Sequence, residues 1–147
     1  MAERGENIPD STAEAVGKVG EALEYVERAR GHLYSFHQLI GHADLLLGEA
    51  VDALREDGHY EIADALATEM VGRNVINGRW TFQVVEEFDS TYWQPLREHA
   101  DRARAELTDG IAHLHEARMK EDRRTHGHPD HTKEPEGREP GSGGHPL

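Results

Sequence analysis

Six side chains in this 147-residue chain have the types and spacing from which a metal centre could be built: His37, Asp44, Glu69, Glu86, Asp89 and His99. Imidazole nitrogens and carboxylate oxygens are ligands for iron, manganese or zinc. Helical bundles build di-metal sites by projecting such groups inward from four helices. His37 and Asp44 follow Arg30 at intervals of seven, in a row that is otherwise aliphatic: Val16, Val19, Leu23, Val26, Leu33, Ile40, Leu47, Val51 and Leu54. A polar group in such a row lowers stability unless it is partnered. The other four stand at phases compatible with a core. Glu69 lies three after Leu66, Glu86 four after Phe82, Asp89 four after Val85, and His99 three after Leu96. Two readings follow. Either these groups converge as a di-metal carboxylate and histidine site with a redox or storage role, or Arg30, His37 and Asp44 bond to neighbours and specify helix register and partner choice. The second is preferred. The helix-borne Glu-x-x-His pair of bundle di-iron sites is missing from the core rows, since Glu56 and His59 flank Gly58 at a helix end.

A second candidate is the stretch GRNVINGRWTFQ, residues 72–83, which gathers Arg73, Asn74, Arg79 and Trp80 near one end of the bundle. Arginine and tryptophan are enriched at interface hot spots. The stretch reads as a partner or small-molecule site, or as a loop anchored by Trp80. A third is THGHPDH, residues 125–131, which resembles the THxHxDH signature of the metallo-β-lactamase family. In that family the loop follows a strand and binds two zinc ions within a sandwich of sheets and helices. Here the resemblance covers seven residues, no strand precedes them, and sixteen residues follow. A catalytic zinc needs a fixed open position and fixed outer partners. The expectation is therefore a solvated histidine-rich segment, and the family's activity is not carried over.

The elements that must position these residues are helical. The aliphatic row steps by three and four from Val16 to Leu54 without a slip, which predicts one unbroken helix over 12–57, about 70 Å long, ending at Asp57-Gly58. Ser11 and Glu14 read as a capping box at its start. Beside the row lie Ala15, Ala22, Ala29, Phe36, Ala43 and Ala50 on one side, and Gly20, Tyr34, Gly41 and Gly48 on the other. Rows of small residues widen the packed face and suit a bundle better than a bare zipper. A second helix is predicted over about 60–71 and a third over 80–89, with an Asn77-Gly78 turn between them. A restart at Asp89-Ser90-Thr91 leads to a fourth helix reaching about 124. Residues 125–147 hold four of the six prolines and almost nothing apolar, so they read as a disordered tail; 1–10 are expected to be disordered too.

Composition narrows the function. Against 29 acidic residues stand 16 basic ones, a formal net charge of −13. Such a surface repels phosphate backbones and anionic lipid, so neither nucleic acid nor a membrane is expected as a partner. With no cysteine there is neither a disulfide nor a thiol nucleophile. The first ten residues lack the apolar stretch of a signal peptide, and no apolar run spans a bilayer, so a cytoplasmic protein is expected. The sequence thus predicts an all-α antiparallel bundle of three to four helices over 11–124, with coiled-coil character and one very long N-terminal helix. Its expected role is non-enzymatic: protein–protein interaction or self-assembly, as a homodimer that uses the 15–33 face of the long helix, with no cofactor required. Iron, manganese or zinc is implied only on the metal reading.

Overall fold

The structure, a computed structural model, describes residues 5–135. It is all α-helical: α1 is Asp10–Glu56, α2 Tyr60–Glu69, α3 Thr81–Phe88, α4 Gln94–Leu107 and α5 Leu114–Arg123, with a π-helical turn at Asp89–Trp93 joining α3 to α4. No helix among the described residues is long and apolar enough to cross a membrane. The described residues divide into two compact units, Gly20–Asp101 and the described residues before and after it.

The long helix is continuous through Gly31. Each residue of the aliphatic row, the three polar ones included, is buried or half-buried, while most of the remaining α1 positions are exposed. The three-four spacing therefore located the packed edge correctly. Its start differs from the expectation. The helix begins at Asp10, behind Pro9, whose carbonyl accepts the N–H groups of Thr12 and Ala13, so Ser11 lies inside the first turn and is not the cap.

Within Gly20–Asp101, α1 ends at Gly58, which takes φ +81°, a value that costs glycine nothing. The chain then doubles back as α2, clipped by Arg55 to Asp64 at 3.0 Å. Residues 70–80 carry the predicted turn. Ile76 and Arg79 exchange backbone hydrogen bonds across Asn77-Gly78, and Gly78 has φ +81°. From Thr81 to Leu107 the chain stays helical, so the expected restart at Asp89 is instead a widening of the helix. Its causes are local. The hydroxyls of Ser90 and Thr91 both donate to the Glu87 carbonyl, competing with the backbone ladder. Pro95 has no N–H to give and its ring crowds the carbonyl four residues back. A π turn, in which the Gln94 N–H reaches back to Asp89, relieves both. The unit's core is thin: Val51, Ala63 and Val85 are its buried apolar residues, beside buried Thr81.

In the other unit, the expected fourth helix to about 124 is broken at 108–113. Thr108 back-bonds to the Arg104 carbonyl, Gly110 donates to the same carbonyl at 3.0 Å, and Gly110 takes φ +74°. This closes α4 before α5 begins. Residues 5–10, expected to be disordered, are held against the rest of the unit: Arg118 on α5 bonds to Asp10 at 2.7 Å and to the carbonyls of Gly5 and Ile8, and Gly5 is buried close to Ile111 and Leu114. Ala13 is buried, and a Cβ on Gly17 would meet His115 at 3.2 Å. The first turns of α1 are thus packed within the chain. Residues 125–135, also expected to be disordered, form turns tied back to α5 by Arg124 to the His131 carbonyl and by Lys120 to the Lys133 carbonyl. Residues 1–4 and 136–147, the rest of that expectation, lie outside the described residues.

Candidate functional site

The three polar positions of the α1 row each take a partner from a different downstream segment. Asp44 accepts the N–H of Gly72 at 2.8 Å, just after α2. His37 Nδ1 lies 2.6 Å from the hydroxyl of Thr81, the first residue of α3. Arg30 forms a two-pronged pair with Asp89 in the π turn, at 2.7 and 3.0 Å, and the Tyr34 hydroxyl donates to the same carboxylate. As the α1 number falls from 44 to 30, the partner number rises from 72 to 89. The three bonds therefore fix the 72–89 stretch antiparallel to α1, one bond per heptad. The Arg30 hydrogen bond holds the Asp89 carboxyl below its ordinary range, with Tyr34 acting in the same direction; Asp89 in turn raises the Arg30 guanidinium. Arg30 also lies over the Trp93 ring, 3.7 Å from its centroid, and Arg97 approaches the same ring at 4.7 Å. Cationic groups against an indole face gain electrostatically from the ring quadrupole.

These partners account for three of the six candidate metal ligands, His37, Asp44 and Asp89, each engaged separately. Glu69, Glu86 and His99 are exposed. The six are not brought together, and among the described residues no group of three or more His, Asp or Glu could hold a metal ion. The physical reason is the spacing itself: seven residues of helix place each polar side chain opposite a different partner along the rod. In the THGHPDH stretch, the Nδ1 atoms of His128 and His131 accept the backbone N–H groups of Asp130 and Thr125, and His126 packs against Glu121. Those ring nitrogens are committed to turn geometry.

The second candidate fares differently. Residues 70–82 fold over the middle of α1 and enclose an apolar groove of about 510 Å³, whose lining includes Phe36, Ile40, Leu47, Met70, Trp80 and Phe82. His37, Asp44, Arg73 and Asn74 also line it. Trp80 is the anchor. Its indole N–H donates to the Arg73 carbonyl at 2.9 Å, and its backbone N–H is capped by Gln83. Arg79 is turned to the Glu87 carboxylate and does not line the groove. Two signals read separately in the sequence, the polar α1 positions and the Arg/Trp loop, thus meet along one groove.

The exposed apolar surface of this unit extends well beyond the 15–33 face expected from the sequence. Leu39 and Leu45 are 69 % exposed, Tyr60 62 %, Tyr25 61 %, Ile62 60 % and Leu46 50 %. On α1 the row Ala29, Phe36, Ala43 and Ala50 was expected to widen the packed face, with the 15–33 part of the helix in a homodimer interface; the row is exposed. It faces outward instead, with the groove residues Phe36 and Ala43 at its inner margin. The signal for this was present, because Tyr25, His32, Leu39, Leu46 and Ala53 run beside that row at the same seven-residue spacing. Comparison with protein-family models, curated proteins and solved structures found no match.

Proposed function

We propose that this chain is a non-enzymatic acidic helical module whose work is protein association, beginning with a second copy of itself. One observation carries the reading. In Gly20–Asp101 only Val51, Ala63 and Val85 are buried apolar residues, whereas leucines, tyrosines, isoleucines and aromatic groups along α1, α2 and the 70–82 segment stand open. Apolar surface on this scale is stabilised by cover, and monomeric proteins rarely leave contiguous patches of more than a few hundred Å² uncovered. The chain's net charge of −13 makes another acidic patch or a nucleic acid a poor cover, and an apolar helix face a good one. The engagement of Arg30, His37 and Asp44 in holding helix register supports a structural role for these polar groups over acid–base work.

The test is the mass in solution. Light scattering across low to high micromolar concentrations is expected to give twice the 16.5 kDa chain mass. A single monomeric species throughout that range refutes the proposal.

A further inference from the structure

We infer that the second copy docks along a defined seam of α1, residues 25–53, as an antiparallel helix pair. This inference rests on the self-association reading above and names its interface. The seam is a second heptad row on α1, distinct from the edge that packs within the chain. Tyr25, Ala29, His32, Phe36, Leu39, Ala43, Leu46, Ala50 and Ala53 step by four and three without a slip over four heptads, and all nine are exposed. A helix whose inner edge is already packed and which repeats an apolar seam on another face has the sequence of a helix with two neighbours. The chain supplies one of them.

The sizes along the seam say how the second neighbour lies. Ala29, Phe36, Ala43 and Ala50 occupy one line, and Tyr25, His32, Leu39 and Leu46 the other. In a parallel pair like faces like, so layers of two alanines would alternate with layers of two large residues, and one kind would be empty while the other is crowded. In an antiparallel pair centred between residues 37 and 38, each line faces the other. Ala29 then meets the partner's Leu46, Ala43 the partner's His32, Ala50 the partner's Tyr25, and Phe36 the partner's Leu39. From Tyr25 to Ala50 every layer joins a small residue to a large one except the central Phe–Leu layers, which close-packing favours; Ala53, at the end of the seam, meets the partner's Ala22. The same placement sets Arg28 beside the partner's Glu49 on the flank, an opposite-charge pair at the position where coiled coils carry them. In the parallel arrangement Arg28 would face the aliphatic row. Phe36 and Ala43 of the seam also line the groove, so the docked helix lies along the groove's margin.

The chain has no cysteine, so introduced thiols report without background. Three full-length variants are treated with a short bis-maleimide: Ala29→Cys, Leu46→Cys and the double variant. Both positions are exposed in the protomer, and seventeen residues of helix, about 25 Å, separate them within one chain. The inference expects covalent dimer from the double variant, little from either single one, and helicity equal to the parent by circular dichroism. As an independent arm, Leu39→Glu is expected to convert dimer to folded monomer. If Ala29→Cys alone cross-links as well as the double variant, the pair is parallel and the antiparallel assignment falls. If the protein is dimeric by light scattering but no variant cross-links and Leu39→Glu leaves the dimer intact, the seam is wrong while self-association stands. A monomeric parent removes both.

Discussion

Truncating one leucine measures how much the seam contributes. Leu39 is 69 % exposed in the protomer, so most of its stabilising burial is still to be gained. Leu39→Ala removes three carbons, worth about 0.8 kcal/mol each when fully buried, or about 2.4 kcal/mol in all. Roughly two-thirds of that, about 1.7 kcal/mol, belongs to association and the remainder to the folded chain. In the proposed symmetric pair two copies are truncated, so that dimer is expected to lose about 3.3 kcal/mol, which raises its dissociation constant about 250-fold. The protomer loses about 0.7 kcal/mol, partly offset by the better helix propensity of alanine. The assay is sedimentation equilibrium of parent and variant over the same concentration series, with urea denaturation at low concentration to isolate the protomer term. A dissociation constant unchanged within about threefold, at unchanged helicity, refutes the claim that Leu39 lies in the interface. A loss confined to protomer stability would instead place Leu39 in the chain's own packing.

Two further outcomes test the internal bonds. Asp89→Asn breaks the two-pronged pair with Arg30 and is expected to cost about 2 kcal/mol at neutral pH. Because Arg30 holds the Asp89 carboxyl below its ordinary range, the parent's advantage is full above the unfolded carboxylate value and fades as pH falls through the lowered folded one; a gap between parent and variant that stays constant into strong acid contradicts this. Arg118→Ala removes the three hydrogen bonds that tie residues 5–10 to α5, so their amide exchange is expected to speed about tenfold while residues 25–53 stay unchanged; equal rates before and after would show that the packing of Gly5 near Ile111 and Leu114 is what holds the segment.

Much of the bundle was legible because its signals are periodic. The aliphatic row from Val16 to Leu54 named the packed edge residue by residue, and Asp57-Gly58 and Asn77-Gly78 named two turns. The misses came from reading the same chemistry unevenly. Asp109-Gly110 carries the stop signal of Asp57-Gly58, and Gly110 closes α4 with its left-handed φ, but the apolar spacing through Ile111 and Leu114 hid the break. The π turn follows from Ser90 and Thr91 hydroxyls sharing one carbonyl ahead of Pro95, a competition that has no period and leaves no pattern to count. Arg118 joins residues more than a hundred positions away, and nothing in the sequence near either end announces it.

The candidate site divides along the same line. Polar residues spaced by seven on one helix suggest convergence only if the helices opposite bring their ligands to one level. The helix is continuous through Gly31, so at about 1.5 Å per residue Arg30, His37 and Asp44 stand about 10 Å apart along it and reach three levels. Spacing that places residues on one face also spreads them lengthwise, and a shared metal needs the face without the spread. That is why the partners found are single: one carboxylate, one hydroxyl and one backbone N–H. The seam escaped notice for a related reason. A row of small residues beside a packed edge says that something comes close, and cannot say whether it is the same chain or another. Only exposure decides, and here the alanine row and the large residues beside it are exposed together over four heptads. The covered edge fixes the register of α1, and the uncovered seam is where we propose that a second copy docks.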